Sequence, residues 1–291
     1  MRSFLLHLCM IIVLPLLMWT ISSCQKEKAM APVEVPDLYV LPQGNQPYDD
    51  SIVAFHKKYG SYILYKFDTK DFSTSYNFLL PARAMQGNPA YVANTLQFFK
   101  SQCLAYYPEK FLQQTMPVRI FLAAAIDTVD AGHRDWPWER TVTGFYMSRT
   151  MLGIGWTDST LLQKTPSELA TIRSYMHRAY IQQAALAGSL KIPQEFMRYA
   201  LPDYASPGSN DYASLGLLES PYGISSEQKN VAWDFSGFAG LITGHSKADL
   251  DTTFLSPSYD TKGLILAKYN VVVKFFLQQG IDLQAIGNLN P

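Results

Sequence analysis

Apolar positions along this chain follow three patterns. Residues 4–19 form a nearly unbroken apolar run, residues 60–156 carry short β-branched and aromatic runs between polar loops, and from 165 onward apolar residues recur at helical spacing. The middle pattern predicts strands at 62–67, 117–122, 144–147 and 151–156. Residues 51–59 read as a short helix or an irregular entry to the sheet. Asn88 followed by Pro89 opens a helix, and the stripe Val92, Leu96, Phe99, Cys103 carries it to about Ala105. Thr165-Pro166-Ser167-Glu168 is a capping box with proline at the first helical position. The helix it opens runs through Leu169, Ile172, Met176 and Ala179 to about Ala187, where Gly188 stops it. A polar, glycine-bearing stretch at 208–216 reads as loop. Ser226 starts a further helix with Val231, Phe235, Phe238 and Ile242 on one face and Gly244 at its end. Gly237 and Gly240 inside it each cost about 1 kcal/mol relative to alanine and imply a close neighbour. A last helix at 261–279 carries Ile265, Val272 and Phe276, with Gly280 and Ile281 closing it. The expected class is α+β: one domain over 38–291, sheet-containing at 38–160 and mainly helical at 161–291.

The two dozen residues ahead of this domain concern address. Met1-Arg2, the apolar run and the small residues behind it have the parts of a secretory signal peptide. Ile21-Ser22-Ser23-Cys24 resembles the lipobox of bacterial lipoproteins, which implies loss of 1–23 and a lipid on Cys24. A transmembrane helix is the competing reading, since the run approaches the roughly 18 residues a span needs. Residues 24–37 read as a tether, charged at Lys26-Glu27-Lys28 and kept extended by Pro32 and Pro36. Gln25-Lys26 followed by an acid resembles the signal that sends some Gram-negative lipoproteins to the outer face, so the expected location is the outer membrane, lipid-anchored and surface-exposed.

Composition narrows the partners. Formal net charge is zero and Arg2 is the only charge lost with the signal, so the mature chain carries one net negative charge; with no long Lys/Arg run, nucleic acid is not an expected partner. Charged residues make up 16% of the chain, against a usual level of about 25%, while aromatics reach 13%, which points to a well-filled core and a polar, tyrosine-rich surface. With Cys9 removed and Cys24 lipidated, Cys103 has no partner for a disulfide and reads as core. Trp136-Pro137-Trp138 reads as a loop folded over the sheet, with a sugar-stacking platform as the alternative. Phosphate-loop, dinucleotide and Gly-x-Ser-x-Gly signatures are absent. Asp49-Asp50 falls in a loop ahead of the first element, and Asp249 with Asp251 reads as helix capping.

The order of elements, sheet then a long capped helix, a polar loop and more helices, is that of zincin-type metallopeptidases. Tyr59-Gly60-Ser61-Tyr62, Thr171-Ile172, Ser220-Pro221-Tyr222-Gly223, Asp234-Phe235 and Gly280-Ile281-Asp282-Leu283 resemble strings of a bacterial lipoprotein family of zinc-binding metallopeptidases, zincin-like and associated with substrate import. Activity in that family is largely presumed. The family's long helix carries His-Glu-x-x-His, whose histidines grip zinc from one helix face while the glutamate acts as base. Ungapped, the resemblance places Ser174 and Arg178 at the histidine positions and Tyr175 at the glutamate; a shift of one residue brings His177 to the second histidine position but leaves Arg173 and Ser174 at the first two. The later acidic string survives only as Asp234. Arg178 could contact Asp234 across the vacated space, or both could be solvated. The resemblance therefore implies a zincin-like domain with a degenerate motif, no catalytic residue and no metal or other cofactor. It also implies a cleft lined by Tyr175, His177, Arg178, Tyr222 and Asp234. A peptide, a glycan or a neighbouring outer-membrane uptake protein is the expected partner. The alternative is an active zinc peptidase drawing His177 and Asp234 together with His245 or His133.

Overall fold

A computed structural model describes residues 37–68, 71, 82–129, 140–142, 144–204, 206–208, 211–219 and 230–289. The chain divides into two units, Met1–Tyr39 and Val40–Pro291, and the second carries everything discussed below. The signal, Cys24 and the tether through residue 36 lie outside the described residues, as do Trp136 and Trp138. Among the described residues no helix is long and apolar enough to cross a membrane.

The fold is α+β, as the sequence pattern predicts. Its first helix, α1 (Pro47–Tyr59), begins earlier than expected, because Pro47 occupies the first helical position and the Asp49 carboxylate takes the Gln46 N–H at 2.9 Å. Asp49 is therefore not a loop residue. It sits in the first turn of α1, buried, and also accepts the Tyr65 hydroxyl at 2.9 Å. Among the described residues six strands follow: β1 (Tyr62–Leu64), β2 (Ala82–Gln86), β3 (Arg119–Val129), β4 (Arg140–Val142), β5 (Phe145–Met147) and β6 (Met151–Ile154). The long β3 is the hub. It runs parallel to β1 and β6, with Arg119 opposite Tyr62 and Met151, and antiparallel to β2 and β4, while β5 pairs antiparallel with β6. Ile120, Phe121 and Leu122 are all fully buried, the signature of a strand covered on both faces.

β1 is shorter than its apolar run suggests. The N–H groups of Tyr65 and Lys66 both go to the Gln43 side-chain oxygen, which diverts the chain from the sheet. β2 and β4 were not expected at all, and β3 runs seven residues past the expected end.

Between β2 and β3 lie α2 (Val92–Gln102), entered through a 3-10 turn capped by Asn88, and α3 (Glu109–Thr115). After the sheet comes α4 (Pro166–Ala187), bounded as predicted: Glu168 accepts the Thr165 N–H at 2.8 Å, and Gly188 ends the helix in the left-handed region at φ 77°. α5 (Gln194–Met197), α6 (Val231–Gly244), α7 (Lys247–Thr252), α8 (Leu264–Leu277) and α9 (Leu283–Gly287) complete the chain. α6 begins at Val231, where the Asn230 side chain takes the N–H groups of Ala232 and Trp233; the expected start, Ser226, lies outside the described residues. α4 lies at the centre of the core, with Met176, Tyr180 and Ala184 in one cluster with Ile120 and Leu152 from the sheet and Phe235 and Phe276 from the later helices. Cys103 is fully buried in the same cluster, and burial pushes its thiol up, as befits an unreactive core cysteine.

Candidate functional site

Two helices decide what the central region can do. α4 and α6 run antiparallel, and their contact repeats once per turn: Ser174 meets Gly240 and Gly244, Arg178 meets Gly240, and Gln182 meets Ser236. The Ser174 hydroxyl donates to the Gly240 carbonyl at 2.7 Å. A Cβ added at Gly244 would lie 2.7 Å from Ser174 Oγ, and one at Gly240 would lie 3.0 Å from Arg178 Cβ. The packing neighbour that the interior glycine at 240 implied is therefore α4 itself; Gly237 has only an ordinary contact with Leu218. The two residues placed at histidine positions by the family resemblance thus press directly on the α6 backbone.

Arg178 does not reach Asp234. Its guanidinium pairs with the Glu219 carboxylate, at the edge of the α4–α6 contact. Asp234 instead accepts Lys268 Nζ at 2.7 Å and the Tyr204 hydroxyl at 2.7 Å, all three side chains being buried. Lys268 also donates to the Gly216 carbonyl at 2.9 Å and lies over the rings of Phe196 and Phe238. Burial pushes the Asp234 carboxyl up, opposed by the ammonium and the hydroxyl that hold it. This knot ties α6 and α8 to the segment around 204–216, and Asp234 lines no open cleft.

His177 is equally closed off. It is fully buried, with Nδ1 2.7 Å from the Tyr107 hydroxyl and the rings of Tyr106 and Tyr107 packed around it. Burial, helped by the Arg173 charge and opposed by the Gln102 main chain, pulls its pKa down to about 3, so the ring is neutral at ordinary pH. Of the five expected cleft residues, Tyr175 is 53% exposed and Arg178 partly so, while Tyr222 lies outside the described residues, as does His133. His177 and Asp234 are corrected to core positions.

An open cleft does exist, one turn toward the start of α4. Ser167 and Thr171 form one wall of a cavity of about 370 Å³, and His245, Ser246 and Asp249 at the α6–α7 junction form the other. His245 Nδ1 lies 2.6 Å from the Asp249 carboxylate, and the Phe254 ring stands edge-on to the imidazole. Asp249 stands in the first turn of α7, where the N-cap Ser246 accepts its N–H, as the helix-start reading expects, and its carboxylate turns to His245.

No family model and no curated protein matches the sequence. Among solved structures, the crystal structure of a putative zinc-binding metallo-peptidase from Bacteroides caccae is similar, with a TM-score of 0.51 over 82% of this chain and 88% of that one, at 13% identity. The fold is metallopeptidase-like. At that identity the likeness carries no residue roles.

Zinc is the group such a fold suggests, and the donor set here does not fit it. A catalytic zinc needs three protein ligands and an open position. Among the described residues no three His, Cys, Asp or Glu side chains converge to hold an ion. His177 bonds Tyr107, Asp234 bonds Lys268 and His245 bonds Asp249, so the combination of His177, Asp234 and His245 is not assembled.

Proposed function

We propose that this protein uses a metallopeptidase-like fold to bind rather than to cleave. In this reading a lipid on Cys24 carries the domain at the outer membrane. There it holds a peptide or glycan, or docks on a neighbouring component of nutrient uptake. The observation that carries the reading is the direct contact of Ser174 and Arg178 with Gly240 and Gly244. It sets both side chains against the α6 backbone, where a metal-gripping pair would need room for a cation and its water, and Asp234 is paired with a lysine. An arginine cannot shed its proton to become a ligand.

The test is metal content. Protein purified without chelator and analysed by inductively coupled plasma mass spectrometry should contain far less than one zinc per chain and should not cleave unstructured peptides. One zinc per chain would overturn the reading in favour of a peptidase with unusual ligands. The address is tested separately: Cys24→Ala should move the protein out of the membrane fraction, and retention there would favour a spanning segment at 4–19.

A further inference from the structure

We propose that the cleft between the start of α4 and the α6–α7 junction, with exposed Tyr175 beside it, binds a neutral, hydroxyl-rich ligand of the size of one or two sugar rings. This names a ligand class for the binding reading above and rests on it. The argument begins with what the walls can no longer bind. Helix N-termini usually attract anions, but here most of the end of α4 is already taken, which leaves the Ser167 N–H as a single neutral donor. Pro166 has no N–H, the Glu168 N–H goes to Thr165 Oγ1, the Leu169 N–H goes to the Thr165 carbonyl, and the Glu168 carboxylate folds back over the same turn. Around the end of α6 two carbonyls are already taken, Gly240 O by the Ser174 hydroxyl and His245 O by the Gln284 amide at 3.0 Å. The titratable side chains of the described lining, His245 and Asp249, are paired with each other.

What remains is a mixed set of neutral donors and acceptors. Thr171 Oγ1 donates to the Ser167 carbonyl at 3.1 Å and keeps its lone pairs. Ser246 Oγ accepts the Asp249 N–H at 3.1 Å and keeps its proton. His245 Nδ1 is taken up by the Asp249 carboxylate, which leaves Nε2 for a ligand hydroxyl, with the ring held by the carboxylate on one side and Phe254 on the other. Hydroxyl groups, each able to give and to take, are the partners that match such a wall. Tyr175 supplies the apolar complement. It lies four residues beyond Thr171, on the same face of α4, and its ring is 53% exposed, free to stack on the C–H face of a ring.

The test uses the full mature chain in a detergent without sugar headgroups. Cellotriose, maltotriose, mannotriose and chitotriose are screened by saturation-transfer NMR, beside an N-acetylated, C-amidated tri-alanine peptide. At least one oligosaccharide should bind with a Kd on the order of 0.1–1 mM, and both Tyr175→Ala and Thr171→Val should weaken it at least about tenfold while melting like the parent. Both sites are exposed, so neither change threatens the fold. Silence from all four sugars, binding that ignores both substitutions, or preferential binding of the peptide would overturn the proposal. None of these results depends on zinc, so a failure here and a failure of the metal test remain distinguishable.

Discussion

Lys268 shows how a single residue can carry two elements. Its ammonium is fully buried and its charge is answered only by Asp234, with Tyr204 and the Gly216 carbonyl completing the shell. Removing one partner of such a pair strands the other in a low-dielectric interior, so Lys268→Met should destabilise the fold by about 3–5 kcal/mol in urea denaturation. The double variant Lys268→Met with Asp234→Leu should recover most of that loss, because no lone charge is left. If the single variant is neutral, the pair is not buried as described. His177 makes a second prediction, about pH. Unfolded, its imidazole takes a proton near 6.5; folded, it resists until about 3. Between those values the unfolded chain binds a proton that the folded one does not, so this contribution to stability is complete above pH 6.5 and falls away as pH drops toward 3. His177→Asn, which keeps an acceptor for Tyr107, should flatten the dependence of the urea midpoint on pH across that window. Its full effect is at most about 1.4 kcal/mol per pH unit. An unchanged slope would remove His177 as the cause.

At the scale of elements, the contact between α4 and α6 depends on residues without bulk. Gly240→Val would place a branched side chain where 3.0 Å separates the built Cβ from Arg178 Cβ, and overpacking of this kind costs about 1–3 kcal/mol. Arg178→Ala keeps that Cβ but removes the Cδ and Cγ that lie 3.3 and 3.5 Å from the same point, so it should relieve part of the strain and the two changes should be non-additive in a double-mutant cycle. Additive losses would mean that the helices do not meet there. Elements bounded by local chemistry were legible in the sequence: α4 has a capping box at Thr165 and a stop at Gly188, and both are in place. Elements made by their neighbours were not. Ala82-Arg83-Ala84-Met85-Gln86 has no apolar alternation and becomes β2 because β3 offers it an open edge. The cap that opens α6 was harder to pick, because Ser226 and Asn230 are both good cap residues; Asn230 caps Val231–Gly244, and Ser226 lies outside the described residues. The candidate site was legible in part. Ser174 and Arg178 stood out as departures from a metal-binding pattern, but their real partners, Gly240 and Glu219, lie 66 and 41 residues away. Lys268 left a clue that composition hides: it falls on the apolar stripe of Ile265, Val272 and Phe276, where a solvated lysine does not belong.

For the molecule as a whole, the same packing predicts that a zinc-binding motif cannot be installed by motif residues alone. The triple variant Ser174→His, Tyr175→Glu, Arg178→His would aim two imidazoles at the α6 backbone and still lack a third ligand, since Asp234 stays with Lys268. It should retain no stoichiometric zinc after dialysis and should melt below the parent; one tightly held zinc per chain would show that the helices part more easily than their contact suggests. The central position of β3 also bears on the order of events when the chain is made. Its parallel neighbours lie on both sides of it in sequence, and Phe111 just ahead of it packs near Phe276, with ring centres 6.4 Å apart. Contacts this distant along the chain form slowly. At ordinary rates of synthesis, Phe111 leaves the ribosome on the order of ten to thirty seconds before Phe276 does. Throughout that interval the nascent chain has strands without a finished core, so what shields it then governs its yield as much as the stability of the finished fold.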